Sequence, residues 1–259
     1  MASSSLRFEG RKVPPLGGFN LTFLALELRR LIRNRRTVLI TVVVPAVLVL
    51  IFNNGRIKQA RGTDLQAAIM IGVAVYGAML GSTAGGAMVS VERALGWSRQ
   101  LRLTPLRPPA YIAIKLIVAM FLGLASVVVV SVVAGVVGVQ VGTTIWIASA
   151  LLAWLGGLVY AAFGLFMGYL LPSENVMQLI GPVLAVFALV GGLFFPLSLM
   201  PQTLQDIAPY TPTYGVAAIA RAPLLGTPFD WTWILNVGLW TAAFAVGAAF
   251  MFRRDTQRT

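Results

Sequence analysis

The run LIVAMFLGLASVVVVSVVAGVVGV, residues 116–139, contains no charged side chain. Wound as an α-helix at 1.5 Å per residue it is about 36 Å long, enough to cross the roughly 30 Å hydrocarbon core of a bilayer. The same test applied outward in both directions marks five further runs: residues 37–52, 66–91, 145–171, 176–195 and 231–252. The first is short for a span. Arg35 and Arg36 can extend it by snorkelling to the headgroups, and Pro45 is a site for a kink. The expected fold is an all-α integral membrane protein with six transmembrane helices.

Composition agrees with that class. Of 259 residues, 58% are hydrophobic and 11% charged, and the mean hydropathy is +0.84, whereas about a quarter of a soluble domain is charged. A formal net charge of +12 raises the question of nucleic acid. The basic residues flank apolar runs instead of forming one face of a soluble domain, so no nucleic-acid partner is expected. Cysteine and histidine are both absent. That removes disulfides, thiolate metal sites, the commonest metal ligand and the commonest general base.

Sixteen of the twenty Lys and Arg residues lie before the first run, between the second and third, or after the last. Arg56, Lys58, Arg61 and Arg221 lie on the opposite side. By the positive-inside rule both termini are expected in the cytoplasm. The chain divides into a cytoplasmic tail with an interfacial helix (residues 1–36), a transmembrane domain (37–252) and a second cytoplasmic tail (253–259).

Two segments outside the spans carry structure of their own. In FNLTFLALELRRLIRNRR, residues 19–36, Asn20 is placed to cap a helix. Leu21, Leu24, Leu28 and Leu31 are expected on one face, with Glu27, Arg30, Arg33 and Asn34 on the other, an amphipathic pattern suited to the inner headgroup layer. The plainer alternative is a basic tail of no special shape. Residues 194–230, FFPLSLMPQTLQDIAPYTPTYGVAAIARAPLLGTPFD, are too apolar for a loop and too rich in proline for a full span. Short helices over about 201–208 and 213–221, dipping into the outer leaflet, are expected there.

None of the six runs contains Asp, Glu, Lys or Arg. Carriers coupled to protons usually place an ionisable group inside the membrane, so that class is disfavoured. The three lysines, Lys12, Lys58 and Lys115, occupy no GxxxxGK[ST] motif, and no phosphate loop can be drawn. The acidic residues are scattered singly, which gives no catalytic pair, so no enzyme activity and no bound cofactor are expected of this chain. Energy for uphill transport would have to arrive from another protein.

The place for its arrival is VERALGWSRQLRLTPLRPPAYIAIK, residues 91–115, which sets five basic residues, one glutamate and three prolines between two apolar runs. A short helix over 92–103 would carry Ala94, Trp97 and Leu101 on one side and Leu95, Arg99 and Arg102 on another. Thr104-Pro105 and Pro108-Pro109 would stop it. Such a knob either transmits a partner's movement or simply anchors two helices as a positive-inside hairpin. Composition leaves both open.

This stretch resembles the E-x-x-x-G, L-x-x-TP-L, K pattern on the first long cytoplasmic loop of ABC-2 type permeases, the membrane subunits of many bacterial ABC exporters. GGLFFPLSLMPQTLQDIAPYTPTYG resembles that family's proline-rich segment after the fifth span. The resemblance covers about residues 20–252. It implies residence in the bacterial plasma (inner) membrane, pairing with a second permease subunit as homodimer or heterodimer, and two separate ABC ATP-binding subunits that hold ATP and Mg. It also implies export, and spans without fixed charge favour a small hydrophobic or amphipathic cargo of drug or secondary-metabolite type. The alternatives are a lipid-linked glycan or other lipid conjugate as cargo, or a non-transporting anchor or sensor subunit.

Carried onto this sequence, the coupling pattern falls on Glu92, Gly96, Leu101, Thr104 and Pro105, with Lys115 closing it. Arg93, Trp97, Arg99 and Arg102 are added as expected contacts on physical grounds, with Trp97 and Tyr111 equally suited to interface anchoring. Phe194, Phe195, Pro196 and Pro201 fall at the outer gate. Phe163, Phe166, Met167, Met177 and Phe187 are candidates for an apolar substrate cavity, although core packing competes for each. The series Gly77, Gly81, Gly85 and the pair Gly164, Gly168 permit close helix contact, within one subunit or between two.

Overall fold

The computed structural model describes residues 20–53, 55–96 and 108–257. Among the described residues every regular element is helical: α1 (Leu21–Arg33), α2 (Arg35–Phe52), α3 (Gly55–Ala94), α4 (Pro108–Val136), α5 (Thr143–Leu170), α6 (Ser173–Val190), α7 (Gln202–Ile207), α8 (Pro212–Leu225) and α9 (Trp231–Gln257), with 3-10 turns at Leu197–Leu199 and Ala208–Tyr210. Six helices are long and apolar enough to cross a membrane: Arg35–Phe52, Leu65–Ala94, Ala110–Val136, Thr143–Leu170, Ser173–Val190 and Trp231–Arg254. The protein is the all-α, six-span molecule that its uncharged runs predict.

α3 is the hub. It packs along α4 and α5 and also touches α2, α6 and α8, so its span is mostly buried while those of α2 and α9 are mostly exposed. Small residues make this possible. A Cβ added at Gly81 would lie 2.7 Å from the Leu122 carbonyl oxygen, one at Gly85 2.5 Å from Ala119 Cα, and one at Gly164 of α5 2.3 Å from the Thr83 carbonyl oxygen. The glycine series therefore serves contact inside one chain, where close backbones gain van der Waals packing that lipid tails cannot replace. Ser126 adds a polar tie, donating 2.8 Å to the Thr41 carbonyl and joining α4 to α2.

Four local expectations change. α3 begins at Gly55 instead of near residue 66, so the basic run that fails the bilayer test continues the helix instead of forming a loop. Hydropathy bounds the span, not the helix. The turn before it is tied by Asn53, whose amide donates to the Val137 carbonyl at 3.4 Å and whose oxygen accepts from Gln66 at 2.7 Å.

The helix capped by Asn20, whose oxygen accepts from Thr22 N at 2.8 Å, ends at Arg33 and does not run on to Arg36. Asn34 leaves the helical region at φ −78°, ψ 72° and caps α2 by accepting from Thr37 N. Within α1 the expected faces also shift. Leu21 is 73% exposed while Glu27 is buried. Leu24, Glu27, Leu28 and Leu31 follow an i, i+3, i+4, i+7 stripe, which places the carboxylate at the centre of the buried face.

The helix expected over 92–103 does not run through. α3 stops at Ala94, and Gly96 turns left-handed with φ 71°, a helix stop for which glycine has no steric penalty.

Candidate functional site

Where α1, the end of α3 and the start of α4 meet, two carboxylates and two cations share one buried node. Lys115 Nζ donates to Glu27 Oε2 and to Glu92 Oε1. Arg30 Nη1 donates to Glu92 Oε1 at 3.3 Å, and Tyr111 Oη donates to Glu92 Oε2 at 2.7 Å. Lys115 and Glu92 are each 2% exposed. Charges this far from water persist only when paired and hydrogen-bonded. Here the pairing closes, two negative against two positive, and the Tyr111 ring lies 5.3 Å from Lys115 Nζ as a further electrostatic neighbour.

Local packing fixes the geometry. Leu31 of α1, with Ile114, Val118 and Leu122 of α4, forms an apolar cluster against which Leu24 and Leu28 rest. That cluster holds α1 beside α4 and points Glu27 at Lys115. Glu92 lies near the last turn of α3 and Lys115 near the first turns of α4, so the node joins both limbs of the segment 95–107 to the N-terminal helix.

Of the residues of the expected coupling segment, Glu92 and Arg93 turn inward, and for Arg93 that is a departure from the expected partner contact. Glu92 is the hub of the node. Arg93 Nη1 donates to the carbonyls of Gly168 at 3.0 Å and Tyr169 at 2.9 Å, and its guanidinium lies 5.6 Å from the Tyr169 ring centre. A cation at the last carbonyls of α5 is favoured by the helix dipole. Leu95 is 68% exposed and Gly96 forms the turn. Trp97, Arg99, Leu101, Arg102, Thr104 and Pro105 lie outside the described residues.

At the opposite end of the bundle, the expected gate residues sit in a tight aromatic contact. Phe194 stacks on Phe52 at 5.6 Å between ring centres and meets Tyr76 edge-on at 5.2 Å. Phe195 meets Phe52 edge-on at 6.4 Å. Pro196 borders a cavity of about 340 Å³ lined also by Leu65, Ala68, Ile69, Arg221 and Leu225. Pro201 is exposed and leads into α7.

Arg221 of α8 locks this end. Its Nε donates to the Ala68 carbonyl at 3.1 Å, Nη1 to Gly192 at 2.9 Å and Nη2 to Leu193 at 2.6 Å. One guanidinium thus binds α3, the turn after α6 and α8 together. Burial lowers it to about 10, still well above neutral, so it remains a cation. Gly72 makes room for it, since a Cβ there would lie 1.9 Å from the Leu193 oxygen and 2.8 Å from Nη2.

The candidate cavity residues lie in an aromatic core in this single chain. Phe163, 4% exposed, contacts Phe187 at 5.6 Å and Phe244 at 5.0 Å, and Phe166 stacks on Phe244 at 6.2 Å. Met167 is buried in the same cluster. The side chain of Met177 lies outside what the structure describes.

Glu27, Tyr111 and Arg221 are the functional candidates that sequence reasoning missed or misplaced. Glu27 had a signal, its position in the Leu24–Leu28–Leu31 stripe. Arg221 had a weaker one, a lone cation in an otherwise uncharged 14-residue helix.

Residues 20–222 match the family described as ABC-2 type transporter. A protein of Bacillus subtilis (strain 168) named "Putative transport permease YvfS" is similar at 25% identity over 235 residues, covering 88% of this chain and 95% of that protein.

Proposed function

The chain belongs to the ABC-2 type transporter family, and from that premise we propose that it is the membrane subunit of an ATP-driven exporter in the bacterial plasma membrane. It would pair with a second permease subunit and draw its energy from two ATP-binding subunits, with both of its own termini in the cytoplasm. The cargo in this reading is a hydrophobic or amphipathic small molecule.

One observation supports this reading most: Lys115 joins Glu92 at the end of α3 to Glu27 of α1. The segment 95–107 leaves one limb of this node and returns to the other. A push on it is delivered to three helices at once, because separating any pair would strand a buried charge, at a cost of about 3 to 5 kcal/mol. In this proposal Glu92 and Arg93 act by stiffening the base of the lever, while Trp97, Arg99, Leu101, Arg102, Thr104 and Pro105 supply the contact. α3, the most buried span, then carries the motion toward the Arg221 clamp and the Phe52–Phe194 contact, which open as the outer gate. A ligand-biased equilibrium between two packings is all the mechanism requires.

The lack of ionisable side chains deep in the spans favours apolar cargo, since a polar one would find no fixed charge there. The test is co-purification of the chain with a candidate ATP-binding subunit of the same organism, followed by ATP hydrolysis in nanodiscs. The wild type should form the complex and raise hydrolysis above that of the ATP-binding subunit alone, and Trp97→Arg should abolish both effects. Complex formation and turnover unaffected by Trp97→Arg would contradict docking through residues 95–107.

A further inference from the structure

α1 has three edges. Leu24, Glu27 and Leu31 meet the protein. Leu21, Ala25 and Ile32, at i, i+4 and i+11, form a second edge on which Leu21 is 73% and Ile32 59% exposed. Leu26, Arg29, Arg30 and Arg33, at i, i+3, i+4 and i+7, form a third, and they line a shallow cavity of about 360 Å³. The one acid of α1, Glu27, is turned away from it and committed to Lys115. Arg29 and Arg33 have no hydrogen-bond or ion-pair partner among the described residues.

The chemistry of these two edges selects the occupant. The cavity offers guanidinium groups suited to bidentate contact with a phosphate oxyanion. The apolar edge beside it runs on into the exposed side of α2, where Leu39, Ile40 and Val43 are 59%, 50% and 46% exposed, the surface of a membrane span. A free anion would leave the apolar edge uncovered. An anion attached to acyl chains covers both.

We propose that the Leu26–Arg29–Arg30–Arg33 cavity is a binding site for one anionic phospholipid, its phosphate on Arg29 and Arg33 and an acyl chain along Leu21, Ala25 and Ile32. Arg30 extends the consequence inward. It borders the cavity and also donates to Glu92, so headgroup binding reaches the buried node through a shared side chain. The charge state of the inner leaflet then bears on how firmly α1 is held to α3.

The test uses the purified full chain, delipidated in detergent and titrated with phosphatidylglycerol or phosphatidylcholine, with bound lipid counted by native mass spectrometry. The wild type should hold phosphatidylglycerol in preference to phosphatidylcholine. Arg29→Gln/Arg33→Gln should weaken phosphatidylglycerol about thirty-fold, as expected for two arginines at about fivefold each, without changing phosphatidylcholine binding or the melting temperature. Arg253→Gln/Arg254→Gln, which removes the same charge from the C-terminal tail, should retain the preference. Equal binding of both lipids by the wild type, an unchanged preference in Arg29→Gln/Arg33→Gln, or displacement of the lipid by inorganic phosphate would each overturn the proposal.

Discussion

Glu27 and Lys115, 88 positions apart in the chain, form a buried ion pair that ties the N-terminal helix to the start of the third span. Lys115 serves Glu92 as well, so its loss strands two carboxylates at once. Lys115→Met should therefore destabilise the protein by about 3 to 5 kcal/mol. Chemical denaturation in mild detergent measures this. Adding Glu27→Gln and Glu92→Gln to Lys115→Met should recover much of the loss, because no uncompensated charge then remains. A triple variant no more stable than the single one would count against charge pairing as the cause.

Tyr111 tests the same node more gently. Tyr111→Phe removes only the hydroxyl that donates 2.7 Å to Glu92 Oε2, and hydrogen bonds to charged groups contribute about 1.5 to 3 kcal/mol. The expected result is a destabilisation of that size in the same assay, with helicity by circular dichroism unchanged. It should shrink to about 1 kcal/mol in a Glu92→Gln background, where the acceptor is a neutral amide oxygen.

Gly72 and Gly238 make a matched pair at the other end of the size scale. Gly72→Ala places a methyl 1.9 Å from the Leu193 carbonyl oxygen, whereas Gly238→Ala meets nothing within 4 Å. Gly72→Ala should break the Arg221 clamp and yield little monodisperse protein on size exclusion. Gly238→Ala should be neutral or stabilise by up to about 1 kcal/mol through helix propensity.

At Gly96 the cost is conformational. The residue sits at φ 71° with open space about it, so Gly96→Ala should cost about 1 kcal/mol at the end of α3 without a clash. Hydrogen exchange should show faster opening of the last turn of α3 and no change in α5.

Much of this architecture was legible in the chain because its signal is local. An uncharged run longer than a bilayer is thick can be read from adjacent residues, and the proline-broken stretch 194–230 likewise announced short helices. The junction at Gly55 escaped because hydropathy reports solvent, and a helix can leave the bilayer without ending. Glu27 was legible in principle and misassigned, since a carboxylate in a leucine stripe looks like an error until a lysine is found opposite it. That lysine belongs to another helix, and no local pattern pairs residues 27, 92 and 115. Arg221 is the same case, with partners that are backbone carbonyls and leave no trace in side-chain identity.

In the proposed mechanism, nucleotide binding by the ATP-binding subunit moves the ends of α3 and α4 through the segment they carry. Leu95 is exposed at the base of that segment and accepts a spin label without touching the node. In the proposed complex, reconstituted with two copies of this chain, the label-to-label distance between them should shift by several ångström between the nucleotide-free and ATP–vanadate states, on the scale of known interface transitions. The Leu26–Leu95 distance within one copy should stay constant. A Leu95 distance that does not change with nucleotide would contradict the account.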